Sequence, residues 1–190
     1  MKTDIILCGV GGQGILSIAT IIGEAATKAG VNLKQAEVHG MSQRGGSVVT
    51  YVRFGDHVYS PIIDKGEADF IVSFEKLEAA RWMEYLKPGG RVIVNTQEID
   101  PMPVITGAAQ YPTDLVAKME ALGAKVDAMD ALAIATEAGS AKAVNIALMG
   151  RLSRYFDQIT EEAWLEALAA SVPAKFLELN RKAFSLGRAE

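Results

Sequence analysis

Cysteine is nearly absent from this chain of 190 residues: Cys8 is the only one. That excludes an internal disulfide, and it excludes an iron–sulfur cluster held by this chain alone, because a cluster takes four ligands that are usually all cysteine. Cys8 ends an apolar run with no cation beside it in sequence to lower its pKa, so it reads as a small core residue rather than a reactive thiol. Histidine is scarce too, and the two present, His39 and His57, are not spaced for a metal. A Gly-x-Ser-x-Gly elbow is missing, which leaves a serine triad without a starting point. Lys and Arg are scattered singly and the net charge is −4, so the chain lacks the basic stripe that nucleic acid or an anionic membrane surface requires. No apolar run is long enough to span a bilayer. The N-terminus carries one Lys and an apolar run broken by glycines, which is not a signal peptide, and the cytoplasm is the expected compartment.

Aromatics are few as well, at 7%. The 49% of hydrophobic residues is therefore carried by Ala, Val, Ile and Leu, the composition expected where helices cover a parallel sheet on both faces. The length favours one domain, residues 1–190.

What is present is organised around the beginning of the chain. Asp4-Ile5-Ile6-Leu7-Cys8 reads as a buried strand and Ile15 to Ala29 as a helix stopped by Gly30, which puts Gly9-Val10-Gly11-Gly12-Gln13-Gly14 on the turn between them. In that context Gly9 takes the tight turn, Gly11 lets a phosphate approach the backbone, and the free N–H groups at the helix start favour an anion. Gly9, Gly11, Gly12, Gln13 and Gly14 are the candidate cofactor-binding residues, and tight packing alone is the competing explanation. A dinucleotide site also needs an acidic residue ending the second strand, Asn32 to Val38, where Glu37 is the candidate. The first helix is apolar nearly all round, so a second polypeptide is expected to cover part of it.

Further strands are expected over Ser47 to Phe54, His57 to Ser60 after a Gly55-Asp56 hairpin turn, Asp69 to Ser73, Arg91 to Val94, Pro103 to Ile105 and Ala124 to Met129. Helices are expected over Lys76 to Leu86, from an N-cap at Thr113 to Gly123, over Ala131 to Ala138, Ala143 to Ser153 and Glu161 to about Ala170 with Thr160 as cap, and over Lys175 to Leu186, closed by Gly187. Together they predict a three-layer, Rossmann-like α/β domain with a mostly parallel central sheet and an antiparallel addition over residues 47–60. Asp64, Glu67, Asp69 and Glu75 read as a solvated acidic rim. Leu86-Lys87-Pro88-Gly89-Gly90-Arg91-Val92-Ile93-Val94 looks like the strand start of Rossmann-type methyltransferases, yet Lys-Pro-Gly-Gly is also ordinary turn chemistry.

The segment His39-Gly40-Met41-Ser42-Gln43-Arg44-Gly45-Gly46 is dense in glycine and polar donors. Arg44 offers a planar fork for a carboxylate or phosphate, and Gly45-Gly46 admits another backbone closely. A simpler fate for Arg44 is a pairing with Glu37 or another acid of the same chain, stiffening a strand entry.

Read together, Gly9-Val10-Gly11-Gly12-Gln13-Gly14-Ile15, the run Glu37-Val38-His39-Gly40-Met41-Ser42-Gln43-Arg44-Gly45-Gly46-Ser47-Val48 and Lys175-Phe176-Leu177-Glu178-Leu179-Asn180 resemble the gamma-type domain of the 2-oxoacid:ferredoxin oxidoreductases. The likeness spans essentially the whole chain and is strongest to the indolepyruvate branch; Met-Ser-Gln-Arg-Gly-Gly is its specific part. It implies a subunit that is not active alone, with a larger alpha-type partner that carries thiamine diphosphate and iron–sulfur clusters. The implied reaction is oxidative decarboxylation of an arylpyruvate with coenzyme A and oxidised ferredoxin, yielding an aryl-acetyl coenzyme A, carbon dioxide and reduced ferredoxin. It also implies no cofactor held on this chain by itself, a coenzyme A phosphate as occupant of the first glycine turn in the complex, contact with ferredoxin only through the complex, and a homo-oligomer when the chain is isolated. His39, Met41, Ser42, Gln43, Arg44, Gly45 and Gly46 are the expected partner interface. Two alternatives stand beside this: a gamma subunit for pyruvate or a branched-chain 2-oxoacid, and a free-standing NAD(P)- or SAM-binding enzyme.

Overall fold

The run of buried residues from Thr3 to Gly9 forms a strand covered on both faces, β1 (Lys2–Val10), and the rest of a six-stranded sheet is laid out around it. The computed structural model describes residues 2–39 and 45–189. Its remaining strands are β2 (Leu33–His39), β3 (Ser47–Gly55), β4 (Ala68–Ser73), β5 (Leu86–Asn95) and β6 (Lys125–Met129), in the order β2-β3-β1-β4-β5-β6. β1, β4, β5 and β6 run parallel, while β3 lies antiparallel to both β1 and β2. The expected architecture is present, with β1 in the interior and β3 as the antiparallel addition.

Alternation along each strand divides the core. Ile5, Leu7, Val52, Phe54, Val72 and Ile93 face helices α1 (Ile15–Lys28), α5 (Ala131–Ala138), α6 (Val144–Ser153), α7 (Glu161–Ser171) and α8 (Leu177–Ala189). Ile6, Cys8, Val49, Tyr51, Ile71 and Val92 face α2 (Lys76–Arg81) and α4 (Leu115–Ala121), giving three layers. The apolar α1 is covered from within: α7 and α6 of the same chain pack on it, and Lys28 pairs with Glu166 at 3.0 Å. Contrary to expectation, no second polypeptide is required for that; Leu16, half-exposed, is the apolar residue that protrudes.

Several local expectations are corrected. Residues 57–60 form no strand, because the Arg53 guanidinium takes the carbonyls of Ser60 and Ile62 that a ladder would use. Pro103 to Ile105 lies in a short helix, α3 (Met102–Ile105); a proline in the first helical turn has no N–H to leave unpaired. Thr113 is not a cap, since α4 starts after Asp114, which sits at φ 58 without a side-chain capping bond. The helix after β4 stops at Arg81 and a single 3-10 turn, Met83–Tyr85, follows, because Leu86 already pairs with Ala68. Finally, α8 runs through Gly187 to Ala189.

Candidate functional site

The carboxyl ends of β1, β4 and β5 meet at one edge of the sheet, where the strand order turns away from β1 on both sides. In open α/β sheets that is where ligands bind. The Gly9–Gly14 turn lies there. Gln13 N closes it onto Val10 O at 3.2 Å, and Gly12 (φ 103) and Gly14 (φ 80) take left-handed conformations that favour glycine. Gly14 is the N-cap of α1 and offers no side chain to the first N–H groups, so the helix start can attract an anion. A cleft of about 480 Å³ runs along one side of the turn between Gly11, Leu16, Glu37 and Val48. A second, about 370 Å³, lies on the other side and reaches Gln97, Leu132, Lys142 and Asn145.

Three of the predicted binding residues have other work. Gln13 folds back under the turn: its Oε1 accepts from Val10 N at 2.7 Å and its Nε2 donates to Phe74 O at 3.1 Å. Gly9 is needed to house it, because a Cβ at that position would lie 2.6 Å from Gln13 Oε1. Gly11 uses its own backbone as a bridge, donating N–H to Gly46 O at 2.8 Å and accepting from Gly45 N at 3.4 Å. The two glycine loops, remote in sequence, are one hydrogen-bonded unit. Of the expected partner interface, Gly45 and Gly46 lie on this bridge and His39 ends β2. Met41, Ser42, Gln43 and Arg44 lie outside the described residues.

The dinucleotide geometry is not reproduced. In the doubly wound fold β2 is the neighbour of β1, but here β3 is inserted between them, with Glu37 opposite Thr50 and Thr50 opposite Leu7. At about 4.8 Å per strand, the ribose-binding candidate Glu37 is carried roughly 10 Å across the sheet from β1, while still lining the cleft beside the glycine turn.

Beside the turn, on the α2 face, two carboxylates were not legible as a pair in the sequence. Glu75, far from being a solvated rim residue, is buried; it accepts from Glu78 N at 2.9 Å, from Ile99 N at 3.2 Å and from the Tyr111 hydroxyl. Burial and that carboxylate push the Tyr111 phenol well above its ordinary value. Glu78 accepts from the Ser47 hydroxyl at 2.5 Å and forms an ion pair with Arg81 Nε at 3.2 Å; burial nonetheless raises its carboxyl above its ordinary value. Asp64 and Glu67 are exposed as expected, and Asp69 accepts from Asp4 N at 2.8 Å. Cys8 is fully buried, its thiol pushed up by burial and set 3.7 Å from Glu78 O, which makes it unreactive. Among the described residues no group of three or more His, Cys, Asp or Glu could hold a metal, and no helix is long and apolar enough to cross a membrane. The edge can therefore present backbone donors, and among the described residues no reactive thiol stands beside a base there.

Comparison with known proteins bears on what docks. A family model described as pyruvate ferredoxin/flavodoxin oxidoreductase matches residues 4–190. A Thermococcus kodakarensis protein named indolepyruvate oxidoreductase subunit IorB is 46% identical over 188 residues, which cover 97% of this chain and 93% of that one. From the same organism, the common gamma subunit of the pyruvate/ketoisovalerate oxidoreductases is 27% identical over 177 residues, 92% of this chain and 89% of that one. Among solved structures, the gamma subunit of a keto/oxoacid ferredoxin oxidoreductase from Geobacter sulfurreducens has a TM-score of 0.72 at 25% identity, covering 98% of this chain and 96% of that one.

Proposed function

Because the chain belongs to the pyruvate ferredoxin/flavodoxin oxidoreductase family, we propose that it is the small, non-catalytic subunit of an indolepyruvate-type 2-oxoacid:ferredoxin oxidoreductase, folded as one domain of gamma type. The observation that carries the substrate branch is the 46% identity, over nearly the whole of both chains, to an indolepyruvate oxidoreductase subunit, against 27% to a subunit named for pyruvate and ketoisovalerate. The free-standing NAD(P) enzyme is disfavoured by the inserted antiparallel β3, which breaks the β1–β2 adjacency of the doubly wound dinucleotide fold.

Iron–sulfur clusters do not fit this chain: its one thiol is buried, and four thiolates are what a cluster usually takes; thiamine diphosphate is assigned with them to the partner on the family reading. They belong to a larger alpha-type partner, and no step of the oxidation runs through residues described here. The chain's own part is positioning. The bridge from Gly11 to Gly45 and Gly46 lies on the side given to the partner, and the uncapped start of α1, with Gly12 and Gly14, offers backbone N–H groups to a coenzyme A phosphate held in the complex. Ferredoxin is reached through the complex, in the cytoplasm.

The test is reconstitution. The purified chain alone is expected to give no turnover of indolepyruvate with coenzyme A and a viologen acceptor, and turnover should appear on adding the large subunit. Turnover by the isolated chain refutes the proposal; turnover of the complex with pyruvate but not indolepyruvate reassigns the branch.

A further inference from the structure

Three side-chain amides converge where β1, β4 and β5 end. Besides its bonds to Val10 and Phe74, Gln13 Nε2 lies 3.4 Å from Gln97 Oε1. Asn95, buried at the end of β5, donates to the same Phe74 carbonyl at 3.3 Å and to Gln97 Oε1 at 3.4 Å, and accepts from Ala131 N at 3.2 Å. Both ends of the Gln13 carboxamide are thus engaged within the chain. An amide used this way is a poor phosphate ligand and an effective strut, since it fixes the turn against the ends of two neighbouring strands. Two residues before it, Gly11 carries the bonds to Gly45 and Gly46.

Resting on the reading that the second glycine loop faces the larger subunit, we infer that Gln13 is a positioning residue for the complex. Its carboxamide sets the height of the Gly9–Gly14 turn, and Gly11 passes that setting to the base of the partner-facing loop. Gly9 is part of the same device, because its missing side chain is the space the carboxamide fills.

An acid at this position distinguishes such a strut from ordinary packing. Gln13→Glu preserves size and an acceptor for Val10 N, but it can donate to the Phe74 carbonyl, which cannot turn away, only when protonated. Acceptors facing a carboxyl raise its pKa, so the donor is present in mild acid and lost as pH rises. The experiment measures binding of full-length chains to the purified large subunit between about pH 5 and about pH 8, with the wild type at each pH as reference. Gln13→Ala is expected to bind about ten-fold more weakly throughout, and Gln13→Glu to bind within about two-fold of wild type at the acid end and about ten-fold more weakly at the alkaline end. Gly9→Ala should weaken binding similarly, and the double variant Gly9→Ala/Gln13→Ala no more than either alone. If Gln13→Ala does not fold, the pH series of Gln13→Glu still decides. A Gln13→Glu chain that tracks wild type at every pH, or additive losses in the double variant, overturns the inference alone. A wild-type chain that never binds the large subunit overturns the parent reading and this inference with it.

Discussion

Asp4 lies near the start of β1 with its carboxylate wholly buried, and Arg53 from β3 grips it with two bonds of 3.0 Å. Lys2 adds a contact at 2.9 Å from a half-exposed position. Arg53→Ala leaves the buried Asp4 carboxylate with only the half-exposed Lys2, so it should lower unfolding stability by about 2–3 kcal/mol, part of it from release of the Ser60 and Ile62 carbonyls. A loss below about 1 kcal/mol in urea titration contradicts this. Glu78 gives the opposite kind of sensitivity. Its folded pKa is raised, principally by burial, above the ordinary 4.5. A carboxyl of that kind contributes stability that is complete below its unfolded pKa and is lost as pH rises through the folded value. Glu78→Gln removes the titration and keeps an oxygen for Ser47, so its stability relative to wild type should improve between about pH 4 and about pH 7. An unchanged difference across that interval shows that the carboxyl does not titrate abnormally.

At the scale of elements, the crossing of α6 and α8 shows what periodicity conceals. A Cβ on Gly187 would sit 2.1 Å from Ala147 O, and one on Gly150 at 2.1 Å from Phe184 O, so the helices touch backbone to backbone. Read from sequence, Gly187 is a helix stop; in the fold it is a contact that lets the helix continue. The sign of a substitution separates the two. Alanine at an exposed mid-helix glycine gains about 1 kcal/mol, whereas Gly187→Ala is expected to lose about 2–3 kcal/mol by overpacking, measured as a drop in melting temperature. The first strand, the glycine turn and α1 were legible because a buried run, glycines and a long apolar stretch follow one another locally. The Thr113 cap and the 57–60 strand misled because Asp114 and Arg53, through a left-handed turn and a long-range bond, override local preference. Gly9 was legible as a required glycine but not for its reason, since the carboxamide it shelters is visible only once the turn is closed.

For the whole molecule, strand order decides what the parallel half cannot. Residues 4–15 satisfy a dinucleotide fingerprint, and only the placement of β3, fixed by pairing between positions 2–10 and 47–55, breaks the β1–β2 adjacency on which a dinucleotide site is built. Calorimetric titration of the isolated chain with NAD is accordingly expected to show no micromolar binding; a dissociation constant in that range would restore the dinucleotide reading. That same order has a temporal side. β1 is made first, yet both of its neighbours come late: β3 ends at residue 55 and β4 at residue 73. With translation at about 5–20 residues per second, the strand leaves the peptidyl transferase centre roughly 2–9 s before its antiparallel partner is synthesised. The nearest local pairing is between β2 and β3, whereas β1 has no strand to pair with until β3 has been made. During this interval Ile5-Ile6-Leu7-Cys8, wholly buried in the finished sheet, is nascent chain without a ladder, which makes it a stretch that a ribosome-associated chaperone has reason to hold.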